Sequence, residues 1–537
     1  NFTGTASAPA NGVFLSATNT LAFATNSGSR VTIDSNGKAT FSVDGVFNSV
    51  NIGKGANSVS GNTVLGASAL DASVTGGNNT AVGSNALTAN TSGEKNTAIG
   101  TGALQANTTA DRNVAVGMNC LQQNTTGADN VAMGTGSMDG NTTGSNNVAV
   151  GHNALLSNNA SNNVAVGYQA LDANTTGTDN VGVGYGALTD NTTGIQNTAV
   201  GLNCLANNTT ANNNVAVGRN AMVANTTGTA NVAVGTLTLD ANTTADNNTG
   251  VGFAVLGNNT TGADNVGLGY GALNSNTTAS NNTAVGKNAL TANTTGQNNT
   301  AVGLSAGQTQ TTANNCCWFG IEAGRDNTGD NNIALGNGAM RLNTTGHRNT
   351  AVGTGVYGSS HGALSANTTG ARNSAFGLQA LLNNTTGNAN TALGAETLVQ
   401  NTTGGSNVAV GRDALAANTT ASNNTAVGTD ALTANTTGTR NNAFGSFALD
   451  DNTTGNYNDA HGYAALTNNT TASNNTALGY IALFSNTTGS SNVAVGANCL
   501  DACTTGALNT AIGKNAATDL TTADYSVAIG SSAGTGI

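Results

Sequence analysis

The 537 residues weigh 52.4 kDa, about 98 Da each against the roughly 110 Da of ordinary composition, so small side chains dominate. Charged residues make up 7% and aromatic residues 4%, and 14 Lys+Arg against 25 Asp+Glu leave a net charge of −11. That excludes a basic footprint for nucleic acid and leaves little of the polar chemistry of an enzyme. Glycine reaches 73 but Pro9 is the single proline, against collagen and proline-rich linkers. No apolar run approaches the roughly 18 residues of a membrane span. The chain opens on Asn1 without a secretory pattern, as expected of a processed or partial chain.

Residues 1–48 form the first predicted domain, a small N-terminal β module. Asn11–Leu15, Leu21–Ala24 and Arg30–Asp34 carry the residue types of short strands, and Asn36-Gly37 before Ala39–Val43 is the signature of a two-residue hairpin. Such a module caps or joins the rest of the chain, because an open sheet edge invites aggregation.

Residues 49–537 form the second predicted domain, a repeat array. Taking Asn79 of Asn79-Thr-Ala-Val-Gly83 as the mark, the frame recurs 28 times from Asn62 to Ser526. Of the 27 intervals, 24 are 17 residues, two are 16 (147 to 163, 316 to 332) and one is 24 (349 to 373), and only Cys316 and Ser526 depart from Asn at the mark. The consensus is N-[TV]-A-[VIL]-G-x-x-A-L-x-x-N-T-T-[GA]-x-x, with slots numbered from the first Asn. Slots two to four have the alternation of a short strand, the slot-five glycine permits a tight corner, and Asn-Thr-Thr-Gly supplies turn chemistry. One repeat is therefore one lap of a coil.

Two-helix solenoid repeats need about 33 to 47 residues and leucine-rich repeats about 20 to 29, and a 17-residue unit rich in Asn, Thr and Gly cannot hold a good helix. The remaining reading is all-β: a parallel β-solenoid, or β-roll, of about 28 coils, a rod on the order of 130 Å long at about 4.8 Å per lap. Valine or isoleucine at slot four with leucine at slot nine is expected to fill the lumen, as in Val82/Leu87, Val116/Leu121, Val150/Leu155 and Val352/Leu364. Asparagine amides at slots one and twelve are expected to stack and bond from lap to lap. The small residues at slots three and five are expected to face outward and to admit another chain closely, which predicts a homo-oligomer, most simply a trimer.

The segment from Thr18 to Gly37 resembles one that recurs in bacteriophage tail-fibre proteins, often ahead of a self-cleaving C-terminal chaperone, and the Asn-Thr-Ala-Val-Gly-x-x-Ala-Leu array is similar to arrays of that family. The final Ser526-Val-Ala-Ile-Gly530 resembles the motif of trimeric autotransporter adhesin heads, which are left-handed parallel β-rolls. Together the two resemblances cover nearly the whole chain. They imply a passive fibre, with a chaperone segment cleaved or lying outside this chain.

No catalytic, cofactor-binding or metal-binding residue is assigned. His152, His347, His361 and His461 are scattered, the calcium-binding G-G-x-G-x-D array is missing, and Gly267-Leu-Gly-Tyr-Gly271 lacks the Lys-Ser/Thr of a phosphate loop. Cys120, Cys204 and Cys499 occupy slot eight, normally alanine, as small buried hydrophobes. Cys503 stands in an asparagine slot, and Cys316-Cys317 are candidates for oxidation or chain cross-linking. Threonines of Asn-Thr-Thr are adjacent, not on one strand face, against an ice-binding surface. Asn-Thr-Thr is formally an N-glycosylation acceptor at a corner expected to be exposed, at Asn107, Asn124, Asn141, Asn174 and Asn191 among others. The insertion within 354–362 makes Tyr357 and His361 candidates for receptor contact.

The expected function is a structural fibre of a phage tail, located in the virion and spacing a receptor-binding tip from it. Its partners would be further copies, other virion proteins and host-surface glycans, with no nucleic acid, membrane or cofactor. The alternative is an extracellular or cell-surface adhesive filament glycosylated at Asn-Thr-Thr.

Overall fold

The structure is a computed structural model; it describes residues 11–15, 21–25, 28–33, 39–41, 45–355 and 361–536. The chain forms two compact units, residues 1–245 and 246–537.

In the first unit, β1 (Asn11–Leu15), β2 (Leu21–Thr25), β3 (Gly28–Ile33) and β4 (Ala39–Phe41) form an antiparallel meander in chain order. These are the strands expected from the sequence; the Asn36-Gly37 turn between β3 and β4 lies outside the described residues. Then β5 (Gly45–Phe47) and β6 (Val50–Gly53) make a hairpin across Asn48-Ser49, both at positive φ (48° and 67°), as a two-residue turn matched to strand twist requires. The expected domain boundary at residue 48 falls in that turn. β6 pairs antiparallel with β7 (Thr63–Gly66), the first strand of the array, so the hairpin covers what would be an open sheet edge.

From β7 on, the strands within each unit pair in parallel, one lap to the next. The first unit holds 11 such strands, Thr63–Gly66 to Val232–Val234, and the second holds 17, Thr249–Val251 to Val527–Ile529. The register is slot to slot: Val114, Ala115 and Val116 face Val131, Ala132 and Met133. The protein is an all-β parallel β-solenoid with a 17-residue period, as its sequence predicts.

Which side of the strand faces inward is the reverse of the expectation. Slot three, alanine or glycine, points into the lumen, and Ala81, Ala98, Ala115 and Ala132 are fully buried; slots two and four point out. Val82, Val116, Val150 and Val352 are therefore half-exposed, while their expected partners Leu87, Leu121, Leu155 and Leu364 are fully buried. A 17-residue lap encloses too little volume for a valine and a leucine at one level, so the methyl of slot three packs against the isobutyl of slot nine. The small residues thus do not form the outer row from which close approach of another chain was expected.

Each lap also carries a fixed set of unusual backbone angles. Slot-five glycine has a φ near +140°, and a Cβ on Gly117 would lie 2.5 Å from the Gly134 carbonyl oxygen, so stacking as well as conformation demands glycine. Slot nine is in the left-handed region even though it is leucine, with Leu87 at φ 53° and Leu121 at φ 51°. Interior packing and the bonds of the lap hold it there against an intrinsic cost of about 1 to 2 kcal/mol.

Asparagine ladders run where the sequence places them. The slot-one amide closes its own lap: Asn113 Nδ2 donates to Gly127 O at 2.9 Å, while its Oδ1 accepts the backbone N–H of Asn130 at 3.0 Å. The slot-twelve amide links laps: Asn124 Nδ2 donates to Asn107 Oδ1 and to Gly127 O, both at 3.0 Å. Both rows are buried and, apart from Asn293 Oδ1 and Asn486 Oδ1, satisfied, which turns a desolvation penalty into a directional staple. Slot-thirteen threonines add a third row, as in Thr125 Oγ1 to Thr142 O at 2.9 Å.

Candidate functional site

The five acceptor candidates for N-glycosylation sit in the slot-twelve ladder. Asn107, Asn124, Asn141, Asn174 and Asn191 are fully buried, and each donates its Nδ2, the atom a glycan would take, to two oxygens. The exposed residue of the corner is the second threonine, such as Thr126, not the asparagine. The expected exposure is corrected: a glycan on these residues is incompatible with the closed lap.

Of the insertion pair, Tyr357 lies outside the described residues, and His361 is exposed at the point where the chain rejoins the coil. Gly362 returns by donating its N–H to Gly338 O at 3.2 Å, and Leu364 resumes slot nine.

The cysteines follow their slots. Cys120, Cys204 and Cys499 fill slot eight of the lumen with no exposure, and burial pushes their thiols up to about 12, 12 and 11. Cys503 is buried, its thiol also pushed up by burial. Cys316 immediately precedes the strand Cys317–Phe319 and faces the side opposite to Cys317. The Cys316 thiol turns into the lumen toward Gly329 O at 3.4 Å and is pushed up to about 12 by burial, whereas Cys317 points outward, half-buried. Only Cys317 of the adjacent pair is placed to meet a reagent or another chain.

One 16-residue lap carries the single tryptophan. Trp318 occupies slot three, where alanine belongs, and its indole is wholly inside the lumen. Space comes from slot nine of the same lap and of the preceding one, where Gly324 and Gly307 replace leucine; a Cβ on Gly307 would lie 2.7 Å from Trp318 Cδ1. Slot twelve of the preceding lap is Gln310, whose Oε1 accepts the indole N–H at 2.8 Å. The exchange has a cost one lap back: Asn293 Oδ1 loses its ladder donor and is left buried without a partner. Cys503 produces the same orphan at Asn486 Oδ1.

Outside the lumen, slot six forms an aromatic row. His152, Tyr168 and Tyr185 stack with centroids 5.4 and 5.1 Å apart, Phe253 stacks on Tyr270 with Lys287 above it, and Tyr463 stacks on Tyr480. Ring faces are turned to one another along the row, leaving edges outward, unlike a flat platform for a sugar. Slots two and four form a sheet face beside it, with Asp459 Oδ1 2.9 Å from His461 Nε2 and Phe444 stacked on His461. The motifs of the sequence single out neither the face nor this pair. A slot-by-slot count of charged residues is the signal that finds it. Among the described residues no group of three or more His, Cys, Asp or Glu is placed to hold a metal, and no helix is long and apolar enough to cross a membrane.

No family model matches the chain, and no curated protein or solved structure matches it.

Proposed function

We propose that the chain is a structural fibre protein of a phage tail, a spacer that supports attachment to the host surface. One observation carries the reading: lap after lap repeats the same bonds to its neighbour. Thr97 donates its N–H to Asn113 O at 2.8 Å, Leu104 to Cys120 O at 3.0 Å and Ala106 to Gln122 O at 2.9 Å, with the asparagine ladders alongside. Such a stack adds a fixed rise per lap. At about 4.8 Å each, the parallel strands of residues 1–245 span about 50 Å and those of 246–537 about 80 Å. The resemblance of Thr18–Gly37 to tail-fibre segments favours the virion over a cell surface. The partners in this reading are further copies of the chain, other virion proteins and, through the 354–362 insertion, host glycans.

Electron microscopy of the native particle with an antibody to the repeat tests this. Labelling along fibres of a phage tail supports it. Labelling of filaments anchored in a cell envelope, or an intact mass carrying many hexose-sized increments, replaces it with the adhesive-filament reading.

A further inference from the structure

The sheet face of slots two and four combines near-absence of charge with an apolar row at slot four. Of the 14 Lys+Arg and 25 Asp+Glu in the chain, only Asp459 stands in either slot. That carboxylate carries its own partner on the same strand, His461 at 2.9 Å. All other positions of slot four except His461 hold Val, Ile, Leu, Met or Phe, and these stay substantially in water: Val200 is 36% exposed, Leu268 45% and Leu393 51%. An exposed apolar row, here slot four beside a slot two of Val and Thr, from which charge is removed is the signature of the centre of an interface.

We infer that this face is the contact surface between parallel, in-register copies of this chain. Three observations select a second copy as the occupant. The first is pitch. The rows repeat once per lap, about every 4.8 Å, and interdigitating with them over many laps requires a surface of the same repeat, which a second copy supplies; a parallel copy also sets like residues at equal levels. The second is area. Burying a Val-to-Phe side chain fully at about 25 cal/mol per Å² corresponds to roughly 60 to 120 Å². Slot four supplies one such residue in every lap but that of His461, and slot two a Val or Ile in 12 of the 28 laps with Thr in most others; at about one-third exposure each apolar side chain gives roughly 20 to 40 Å². The 18 apolar residues of these slots in the first unit then offer roughly 360 to 720 Å² and the 21 in the second roughly 420 to 840 Å², which summed reach the about 800 Å² per partner of a stable interface. The third is charge. An anionic membrane surface or nucleic acid selects Lys and Arg, and these two slots contain none. Copies related by rotation about the stacking direction set equal levels opposite one another, so Phe319 meets the level of Phe319 and Leu335 that of Leu335.

Cys317, in slot two of this face, is a built-in reporter, because the other five cysteines are buried in the lumen. The test uses the full chain. Sedimentation equilibrium is expected to give an integral multiple of 52.4 kDa. A short bis-maleimide is expected to join Cys317 to Cys317 of another copy, and Cys317→Ala to abolish the product. Val150→Asp with Val183→Asp and Val217→Asp is expected to lower the mass with the circular dichroism of the solenoid unchanged. Thr126→Asp with Thr143→Asp and Thr176→Asp, on the exposed corner off this face, is expected to leave the mass as it was. A monomeric wild-type chain, or an oligomer indifferent to the three valine substitutions, overturns the proposed face. An oligomer that responds to them but gives no Cys317 product overturns the parallel register. None of these results bears on whether the chain is found in a phage tail, so the two proposals fail separately.

Discussion

Replacing Trp318 by alanine restores the consensus residue at slot three, yet it is expected to be the most damaging single substitution in its neighbourhood. The indole fills space that two leucines fill in other laps, and Gly307 and Gly324 have no side chains with which to close the gap. Emptying a close-packed aromatic site costs about 3 to 5 kcal/mol. Gln310 cannot follow the lost partner, because its Nε2 is committed to Ala313 O at 2.9 Å, so its Oε1 is stranded in the lumen. An orphaned acceptor adds about 1 to 3 kcal/mol. The expected total is about 5 kcal/mol, which at 1.36 kcal/mol per decade is about three to four orders of magnitude in exchange protection if opening is local. Native-state hydrogen exchange of the slot-five and slot-nine amides of these laps, Gly320, Gly324 and Gly336, reads this directly. Adding Gly307→Leu and Gly324→Leu to Trp318→Ala is expected to recover most of the loss, because slot nine already has the backbone angles that leucine adopts elsewhere. A cost below about 1 kcal/mol for Trp318→Ala, or a Gly324→Leu tolerated beside the tryptophan, would refute the inward placement of slot three.

Four further outcomes are expected. Ala216→Leu, in the lumen, should destabilise by about 1 to 3 kcal/mol through overpacking while Val217→Thr, pointing outward, stays within about 0.5, as measured by thermal unfolding; equal effects would mean the strand faces are misassigned. Cys503→Asn should restore the donor that Asn486 Oδ1 lacks and raise stability by about 1 kcal/mol, whereas a lower melting temperature would show that the ladder does not pass through that position. Burial raises the carboxyls of Asp139, Asp172, Asp240, Asp450 and Asp501. The folded state therefore holds their protons at higher pH than the unfolded state does, and stability grows as pH falls from neutral through their raised range. Asp129, lowered by its bond to Arg112, is an exposed exception. A melting temperature that declines steadily over that window would contradict this balance, and Asp139→Asn with Asp172→Asn should flatten the rise. With Cys120, Cys204 and Cys316 pushed to about 12 and Cys499 to about 11, a thiol reagent at pH 8 should find no more than one group, Cys317, until the protein unfolds and all six react.

The period was legible because the same slots recur almost without insertion, and the asparagine ladders because an amide at a fixed slot in a stacked coil has an identical amide above and below it. The orientation of the strand was not. A Thr-Ala-Val triplet satisfies alternation with either face inward, and hydropathy alone places valine inside. The deciding signal was nevertheless present within the array. Slot four accepts Val, Met, Phe and even His461, as an exposed position does, while slot three stays alanine or glycine everywhere except at Trp318 and at Val64 of the first lap. Where tryptophan enters slot three, leucine leaves slot nine at 307 and 324, so those two slots share one volume. Leucine in the left-handed region gave no warning, since the residue is chosen for the lumen and the backbone is held by its neighbours. The burial of the asparagine in Asn-Thr-Thr was hidden for a related reason: asparagine suits a turn in water and a ladder in the dark equally, and only the repetition distinguishes them.

The central claim is that, within each unit, residue i lies beside residue i+17 in every lap of the regular length. Val114 and Val131 are opposed outward-facing positions on adjacent parallel strands, within the Cα separation a disulfide bridges, about 4.4 to 6.8 Å. In a Cys317→Ala background, Val114→Cys with Val131→Cys should oxidise completely, and Val114→Cys with Val148→Cys, two laps apart, should remain reduced. Oxidation of the second pair with the first left reduced would contradict the coil.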